Sequence, residues 1–224
     1  ATTTTATGIN LAKRITNVVN NNDGTYLVSY ELIALNTGTE PLVNIVLNDQ
    51  PSSDLNAATI ANSTVSASTG VVASYPALIS AASLAPGESL TVNYDLSLQP
   101  ALAANPSDLS NSAVVTADNG AGTSVSDISD NGASATGDNG VGGVDDPTVF
   151  SAASIGVAKS LSSSANGDGS FDLFYTVTVL NTGSAFLSNI QLVDTPSPAL
   201  AEASVALLSD VDVVSGTATA GSYN

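Results

Sequence analysis

Three polar side chains stand on strand faces that are otherwise apolar, and together they have the types needed for chemistry. Lys13 shares one face of the first predicted strand with Ile9 and Leu11, which precede it with a period of two. In the same way, Asp49 falls on the apolar face of the third predicted strand, and Asn111 on that of the last. Because burying a polar or charged group without a partner is costly, we expect this amine, carboxylate and amide to meet inside the fold.

The lysine motif occurs twice, which makes Lys13 part of an internal repeat. Residues 8–15, GINLAKRI, recur as residues 154–161, SIGVAKSL, with Lys159 in the position of the first lysine. These are the only two lysines, and the chain has three basic residues in all. Asp194, in the second copy of the third strand, forms a partial second set with Lys159.

The two copies keep a nearly constant spacing. The run YELIALNTG returns as residues 175–183, YTVTVLNTG. Gly169 lies 145 residues after Gly24 (169 − 24), whereas Lys159 lies 146 residues after Lys13 (159 − 13). The difference of one residue predicts a gap in the hairpin between the lysine and the turn.

The elements that must position these side chains are predicted to be strands. Apolar and polar residues alternate over residues 26–34, 42–49 and 90–98, and clusters of Asn, Asp, Gly and Pro separate these runs. No segment sustains a convincing helical period. The pattern therefore predicts an all-β chain of antiparallel β-sandwich domains.

The repeat also predicts the domain organisation. Residues 1–7 are expected to form a lead-in strand or linker, residues 8–117 a first sandwich, residues 118–152 an acidic linker rich in Gly, Ser and Asp, and residues 153–224 the N-terminal part of a second sandwich. Since the second copy stops before counterparts of the last two strands, we expect either an excerpt from a longer array or completion by another chain. Residues 1–7 or 211–224 are candidate completing strands.

Composition excludes several classes of function. The net charge of −17 disfavours nucleic acid and anionic membranes as partners, because both need clustered Lys and Arg. The absence of Cys and His removes thiolate chemistry and the usual zinc ligands. No apolar run is long enough for a membrane span. An acidic, Cys-free chain rich in Ser, Thr and Asn is typical of an extracellular bacterial surface protein.

The order of the motifs resembles a known family. The run K…DG…Y…LNTG…NI.L.D is similar to the bacterial surface repeat family called domain of unknown function eleven, over most of residues 8–117 and 153–198. Asp194-Thr195-Pro196 fits the last element of that family better than Asp49-Gln50-Pro51 does. The resemblance implies immunoglobulin-like sandwiches in tandem on cell-surface, adhesin or filament proteins. It implies no enzyme activity toward an outside substrate.

A covalent use of the three polar residues is one possibility. A related group of pilin and adhesin repeats joins a first-strand lysine to a last-strand asparagine by an isopeptide bond, with help from an acid and loss of ammonia. Burial lowers the pKa of a lysine such as Lys13, the amide of Asn111 is an uncharged electrophile, and Asp49 can relay protons. Two alternatives stay open: a Lys13–Asp49 ion pair with Asn111 bonded to backbone, or a lysine that extends to the strand edge.

The acidic linker contains the side chains of a possible calcium site. The candidate ligands are Asp127, Asp130, Asn131, Asp138, Asn139, Asp145 and Asp146. Calcium prefers such hard oxygen ligands and tolerates irregular loops, and it would offset part of the negative charge. Because the spacing differs from that of the helix–loop–helix calcium motif, a solvated and flexible linker is the alternative.

Taken together, the sequence predicts a structural protein and not an enzyme. The expected role is a rigid module of an extracellular filament, surface layer or biofilm matrix that self-associates through neighbouring repeats or subunits. The alternative is a ligand-binding adhesin module, with binding loops at residues 50–60, 66–80 or 99–107. A hydrolase with paired carboxylates is disfavoured, because the chain has no His and 4% aromatic residues.

Overall fold

Strands dominate the structure. The computed structural model describes residues 6–101, 108–136, 145–183, 185–195 and 197–201. In these segments, two short helices accompany the strands. The chain divides into two units, residues 1–187 and residues 188–224. The predicted all-β class is confirmed for this part of the chain.

The first unit contains every described strand. In chain order they are β1 (Ile9–Asn20), β2 (Tyr26–Asn36), β3 (Val43–Pro51), β4 (Thr59–Asn62), β5 (Ser66–Ala67), β6 (Val71–Val72), β7 (Ala77–Ala81), β8 (Ser89–Leu98), β9 (Ser110–Asp118), β10 (Ser124–Ile128), β11 (Asp130–Asn131), β12 (Thr148–Val149), β13 (Ile155–Ala165) and β14 (Phe171–Asn181). The helix α1 (Ser53–Ala58) lies between β3 and β4, and the helix α2 (Pro198–Ala201) belongs to the second unit.

The strands form two six-stranded sheets and one hairpin. The first sheet has the order β11-β1-β2-β8-β4, with β5 also paired to β8. The second has the order β10-β9-β3-β7-β6, with β12 also paired to β9. All these pairs are antiparallel except β1 with β11. The hairpin consists of β13 and β14.

The alternation of side chains explains why the two sheets face each other. In β2, every second residue from Tyr26 to Asn36 is buried and the residues between them are partly exposed. The strand therefore has one core face and one solvent face, as the period of two requires. The buried residues of both sheets belong to one hydrophobic core. This is the arrangement of a β-sandwich.

The described residues of the predicted linker belong to the sandwich instead. Strand β10 extends the second sheet next to β9, β11 pairs with β1, and β12 pairs with β9. Phe150 is fully buried, and its ring centroid lies 5.4 Å from that of Tyr26. The linker prediction rested on composition. Short edge strands need few apolar residues, because one face and one edge of each stay close to water.

The second unit differs from the part of the first that it matches in sequence. Residues 189–194 correspond to residues 44–49, which form most of β3, yet residues 188–195 form no strand. In the first copy, β3 is held between β7 and β9. The described residues of the second unit offer no such neighbouring strands, so the same pattern has no ladder to join.

Candidate functional site

The three predicted polar residues meet between the two sheets. Lys13 comes from β1 in the first sheet, whereas Asp49 and Asn111 come from the adjacent strands β3 and β9 in the second. Asp49 pairs with Ala113, so Asn111 is its diagonal neighbour on the same face. The exposed fractions are 0% for Lys13, 5% for Asp49 and 0% for Asn111. All three side chains are therefore enclosed in the core.

Asp49 is the centre of the cluster, because both of its oxygens are engaged. Its Oδ1 forms an ion pair with Lys13 Nζ and accepts a hydrogen bond of 2.7 Å from the Tyr94 hydroxyl. Its Oδ2 accepts a hydrogen bond of 3.2 Å from Nδ2 of Asn111. Lys13 Nζ also donates to the carbonyl of Ser112, at 2.9 Å. One carboxylate thus holds an amine and an amide at the same time.

Residues from the predicted linker fix the backbone of the lysine. The carbonyl oxygen of Lys13 accepts hydrogen bonds from the N–H of Gly132, at 2.9 Å, and from Oγ1 of Thr148, at 3.0 Å. Thr148 is itself buried and pairs with Asn111 across β12 and β9. This segment therefore ties the strand that carries the amine to the strand that carries the amide.

Burial controls the charge state of the amine. It lowers the pKa of Lys13 to about 8, even though the charge of Asp49 and the hydrogen bond to it act in the opposite direction. The rings of Tyr30 and Tyr94 line the site, with centroids 5.0 and 5.8 Å from Nζ. Cation–π attraction partly replaces the lost hydration of the ammonium form. A neutral, nucleophilic amine is nevertheless accessible near neutral pH.

Four buried polar side-chain atoms have no hydrogen-bond partner among the described residues: the hydroxyls of Tyr26, Tyr30 and Tyr75, and Oδ1 of Asn111. Oδ1 of Asn111 is buried and accepts no hydrogen bond. A buried acceptor without a donor is costly, and such atoms occur where strain or reactivity is stored. The carbonyl oxygen of this amide is therefore free to accept a hydrogen bond when negative charge develops on it, while the same carboxylate holds both the amide and the amine.

Tyr94 belongs to the site, although it is not among the candidate residues that the sequence singled out. It pairs with Tyr30 across β2 and β8, and the two rings stack with centroids 5.3 Å apart. Its hydroxyl also lies 3.3 Å from Nδ2 of Asn111, which donates to it. Burial, together with the charge of Asp49, raises its pKa. A usable signal existed, since a buried tyrosine hydroxyl usually finds a polar partner.

The partial second set is not enclosed in the same way. Lys159 is exposed on β13 opposite Val177, and its Nζ lies 4.3 Å from the ring centroid of Tyr175. Asp194 is exposed in the second unit. The second lysine thus packs on an aromatic ring of its own hairpin.

Three of the five described calcium candidates each use one carboxylate oxygen for a backbone contact. Asp127 Oδ2 accepts the N–H of Leu11 at 2.6 Å, and Asp130 Oδ1 accepts that of Asp145 at 2.8 Å. Asp146 Oδ1 accepts the N–H of Asn131 at 3.0 Å.

Burial raises the pKa of Asp127, and the charges of Asp130 and Asp145 add to the effect. Residues 138 and 139 lie outside the described residues. In the described part of the chain, no three acidic residues form a metal-binding group. Calcium binding stays a prediction.

Comparison with known proteins identifies no relative: no family model, curated protein or solved structure matches the chain. Among the helices that the structure describes, none is long and apolar enough to cross a membrane. The functional interpretation therefore depends on the buried cluster and on the internal repeat.

Proposed function

We propose that this chain is a structural module of a bacterial extracellular filament, surface layer or biofilm matrix, and that its first sandwich is locked by an isopeptide bond between Lys13 and Asn111. The observation that carries the proposal is the buried carboxylate of Asp49, which contacts the amine on one side and the amide on the other. The bond would make the module resistant to mechanical and thermal unfolding.

The residues present are sufficient for the reaction. One proton passes from the Lys13 ammonium to Asp49, and the neutral Nζ attacks Cγ of Asn111. As the new C–N bond forms, Nζ loses a second proton, and the leaving Nδ2 gains one. The C–Nδ2 bond then breaks, and ammonia departs. Asp49 retains the other proton, so charge and atoms balance without an external cofactor.

The contacts of the cluster support this sequence of steps. The Ser112 carbonyl and Asp49 orient Nζ, and burial holds the pKa of Lys13 at about 8. Such preorganised contacts raise the effective concentration of the reacting groups.

The proposed bond has a mechanical consequence. It would connect β1 of the first sheet with β9 of the second, two strands that lie far apart in the sequence. Tension applied to β1 would then pass through a covalent bond rather than through hydrogen bonds that open one after another. Immunoglobulin-like modules in tandem, which the repeated hairpin supports, would transmit force along an array in the same way.

Intact mass of the whole chain tests the bond. The wild-type protein is expected to weigh one ammonia less than its sequence, and a digest should contain one peptide pair joined through Lys13 and Asn111. Lys13→Arg and Asp49→Ala should each restore the full mass. Lys159→Arg, which changes the equivalent lysine of the exposed copy, should keep the loss. A wild-type chain at full sequence mass would leave only a non-covalent ion pair.

Assembly is tested separately. Electron microscopy of the native material should show regular filaments or arrays, and chelation should loosen them if the acidic segment binds calcium. Isolated, unordered particles in the native material would contradict a filament or surface layer. In that case glycan-array binding becomes the informative measurement, because it tests the alternative of a ligand-binding adhesin module.

A further inference from the structure

The hydroxyl of Tyr94 contacts both the acid and the leaving nitrogen of the proposed reaction. Tyr94 lies on β8 of the first sheet and is 2% exposed. It donates to Oδ1 of Asp49, the oxygen that faces the amine, and it accepts from Nδ2 of Asn111, the nitrogen that must leave. The two distances are 2.7 and 3.3 Å.

We propose that Tyr94 is a catalytic residue that relays the proton from Asp49 to the leaving nitrogen of Asn111. The inference rests on the proposed isopeptide bond. In one concerted step, the tyrosine oxygen takes the proton that Oδ1 received from Lys13 and gives its own proton to Nδ2. The phenol is unchanged at the end, and ammonia carries the transferred proton away.

The position of the oxygens explains why a relay is needed. The proton from the amine arrives at Oδ1, whereas the oxygen of Asp49 that faces Nδ2 is Oδ2. A direct transfer would require the carboxyl group to rotate, although Lys13, Tyr94 and Asn111 all hold it in place. The relay through Tyr94 needs no rotation of the carboxyl group, because the tyrosine oxygen already contacts both Oδ1 and Nδ2, and only its O–H bond turns from Oδ1 toward Nδ2.

A concerted transfer also fits the environment of the phenol. Burial and the neighbouring charge of Asp49 raise the pKa of Tyr94, which makes a free phenolate unfavourable. Accepting one proton while donating another avoids that phenolate. The hydroxyl therefore acts as a bridge and not as a separate base.

Tyr26 provides a matched control for deletion of the hydroxyl. Like Tyr94 it is a buried tyrosine of the first sheet, with 3% of its surface exposed. Its hydroxyl has no hydrogen-bond partner among the described residues. Tyr26→Phe thus makes the same chemical change as Tyr94→Phe, away from the reacting groups.

The experiment follows formation of the bond in the full chain. Each protein is produced and purified unfolded in denaturant, so that the bond has not yet formed, and is then folded by dilution and sampled over time. Intact mass gives the fraction that has lost ammonia, while circular dichroism reports folding. Tyr94→Phe should fold but lose ammonia on the order of 10²-fold more slowly, a typical contribution of general acid–base catalysis. Tyr26→Phe should react at the wild-type rate.

Mixtures of light and heavy water separate a relay from a purely structural role. With two protons in flight, the wild-type rate should fall along a curve as the deuterium fraction rises, whereas Tyr94→Phe should give a straight and shallower line. Equal rates for Tyr94→Phe and wild type would overturn the relay and leave the bond intact. A wild-type chain that never loses ammonia would overturn the bond itself.

A second variant keeps the test valid if Tyr94→Phe folds poorly. Placing 3-fluorotyrosine at position 94 retains the ring and the hydroxyl but makes the phenol more acidic. The relay predicts a rate different from that of a chain with 3-fluorotyrosine at position 26. Identical rates for these two chains would overturn it.

Discussion

The hairpin of β1 and β2 and the hairpin of β13 and β14 are built alike but sit in different surroundings. Tyr30 in the first is 1% exposed, whereas its counterpart Tyr175 in the second is 42% exposed. The lysines follow the same division, since Lys13 is fully buried and Lys159 is exposed. The repeated sequence therefore determines the local geometry of each hairpin, whereas burial of the Lys13 amine depends on the second sheet, which covers it.

The similarity of the two hairpins extends to individual hydrogen bonds. Asn36 Nδ2 donates to the carbonyl of Glu40 at 2.9 Å, and Asn181 Nδ2 donates to that of Ala185 at the same distance. A Cβ added at Gly38 would lie 2.5 Å from the oxygen of Ala6, and the corresponding distance at Gly183 is 2.3 Å. The NTG motif thus recurs because the side chain closes the turn and the glycine allows the preceding segment to approach.

Among the variants that test the difference between the two hairpins, replacement of Asp49 should have the largest effect on stability. Compared with the wild-type chain before the bond forms, Asp49→Ala leaves the buried Lys13 without its counter-charge, and we expect a loss of ~3–5 kcal/mol in the free energy of unfolding. Asp194→Ala changes an exposed side chain and should alter it by less than about 0.5 kcal/mol. Urea denaturation followed by circular dichroism measures both changes.

A double variant identifies the cause. Lys13→Met combined with Asp49→Ala removes both charges and should recover much of the stability that Asp49→Ala loses. Equal midpoints for the single and the double variant would show that the uncompensated charge is not what destabilises the sandwich.

The next effect is the pH dependence of bond formation. Because the pKa of Lys13 is lowered from 10.5 to about 8, the ammonium form dominates below pH 8 and the neutral amine above it. The proposed reaction starts from the Lys13–Asp49 pair with one shared proton, which the relay later gives to Nδ2. The rate of ammonia loss should therefore stay nearly constant between pH 6 and 8 and fall about tenfold per unit of pH above 8, where that proton is lost.

The same shift predicts the pH dependence of stability in an uncrosslinked chain. Between pH 8 and 10.5 the native Lys13 binds fewer protons than the unfolded one, so its contribution to the unfolding free energy should increase with pH. Intact mass sampled over time at each pH, corrected for the folding rate, measures the pH dependence of bond formation. A bond-formation rate that rises about tenfold per unit of pH between pH 6 and 8 would contradict transfer of the Lys13 proton through Asp49.

The sequence contained enough information for part of this description. Alternation of period two places Lys13, Asp49 and Asn111 on inward faces, because a strand has only two faces. Contacts between sheets follow no such local period, so the alternation alone does not give the hydroxyl of Tyr94 a polar partner. The sequence also does not predict that Lys159 is exposed, because its local sequence resembles that of Lys13. Only strands that are distant in the sequence distinguish the two lysines.

The smallest expected effect concerns the one-residue difference in spacing. The register of β1 and β2 shifts between Ile15, which pairs with Tyr30, and Asn17, which pairs with Ser29, so Thr16 is the extra residue of a β-bulge. The register of β13 and β14 is continuous from Ile155 to Ala165. This bulge accounts for the change in spacing between the two copies.

Deleting Thr16 should therefore convert the first hairpin to the geometry of the second. Asn17 would follow Ile15 directly and keep its pairing with Ser29, while Lys13 would stay opposite Leu32 and remain in the core. We expect the unfolding free energy to change by less than about 1 kcal/mol and the loss of ammonia to persist.

Deleting Arg14 instead removes a residue next to the lysine and shifts β1 by one position. That slip moves either the lysine or the residues after it to the opposite face, so the protein should lose much more stability. If both deletions destabilise equally, the bulge is required by the sandwich itself and is not a dispensable difference between two equivalent hairpins.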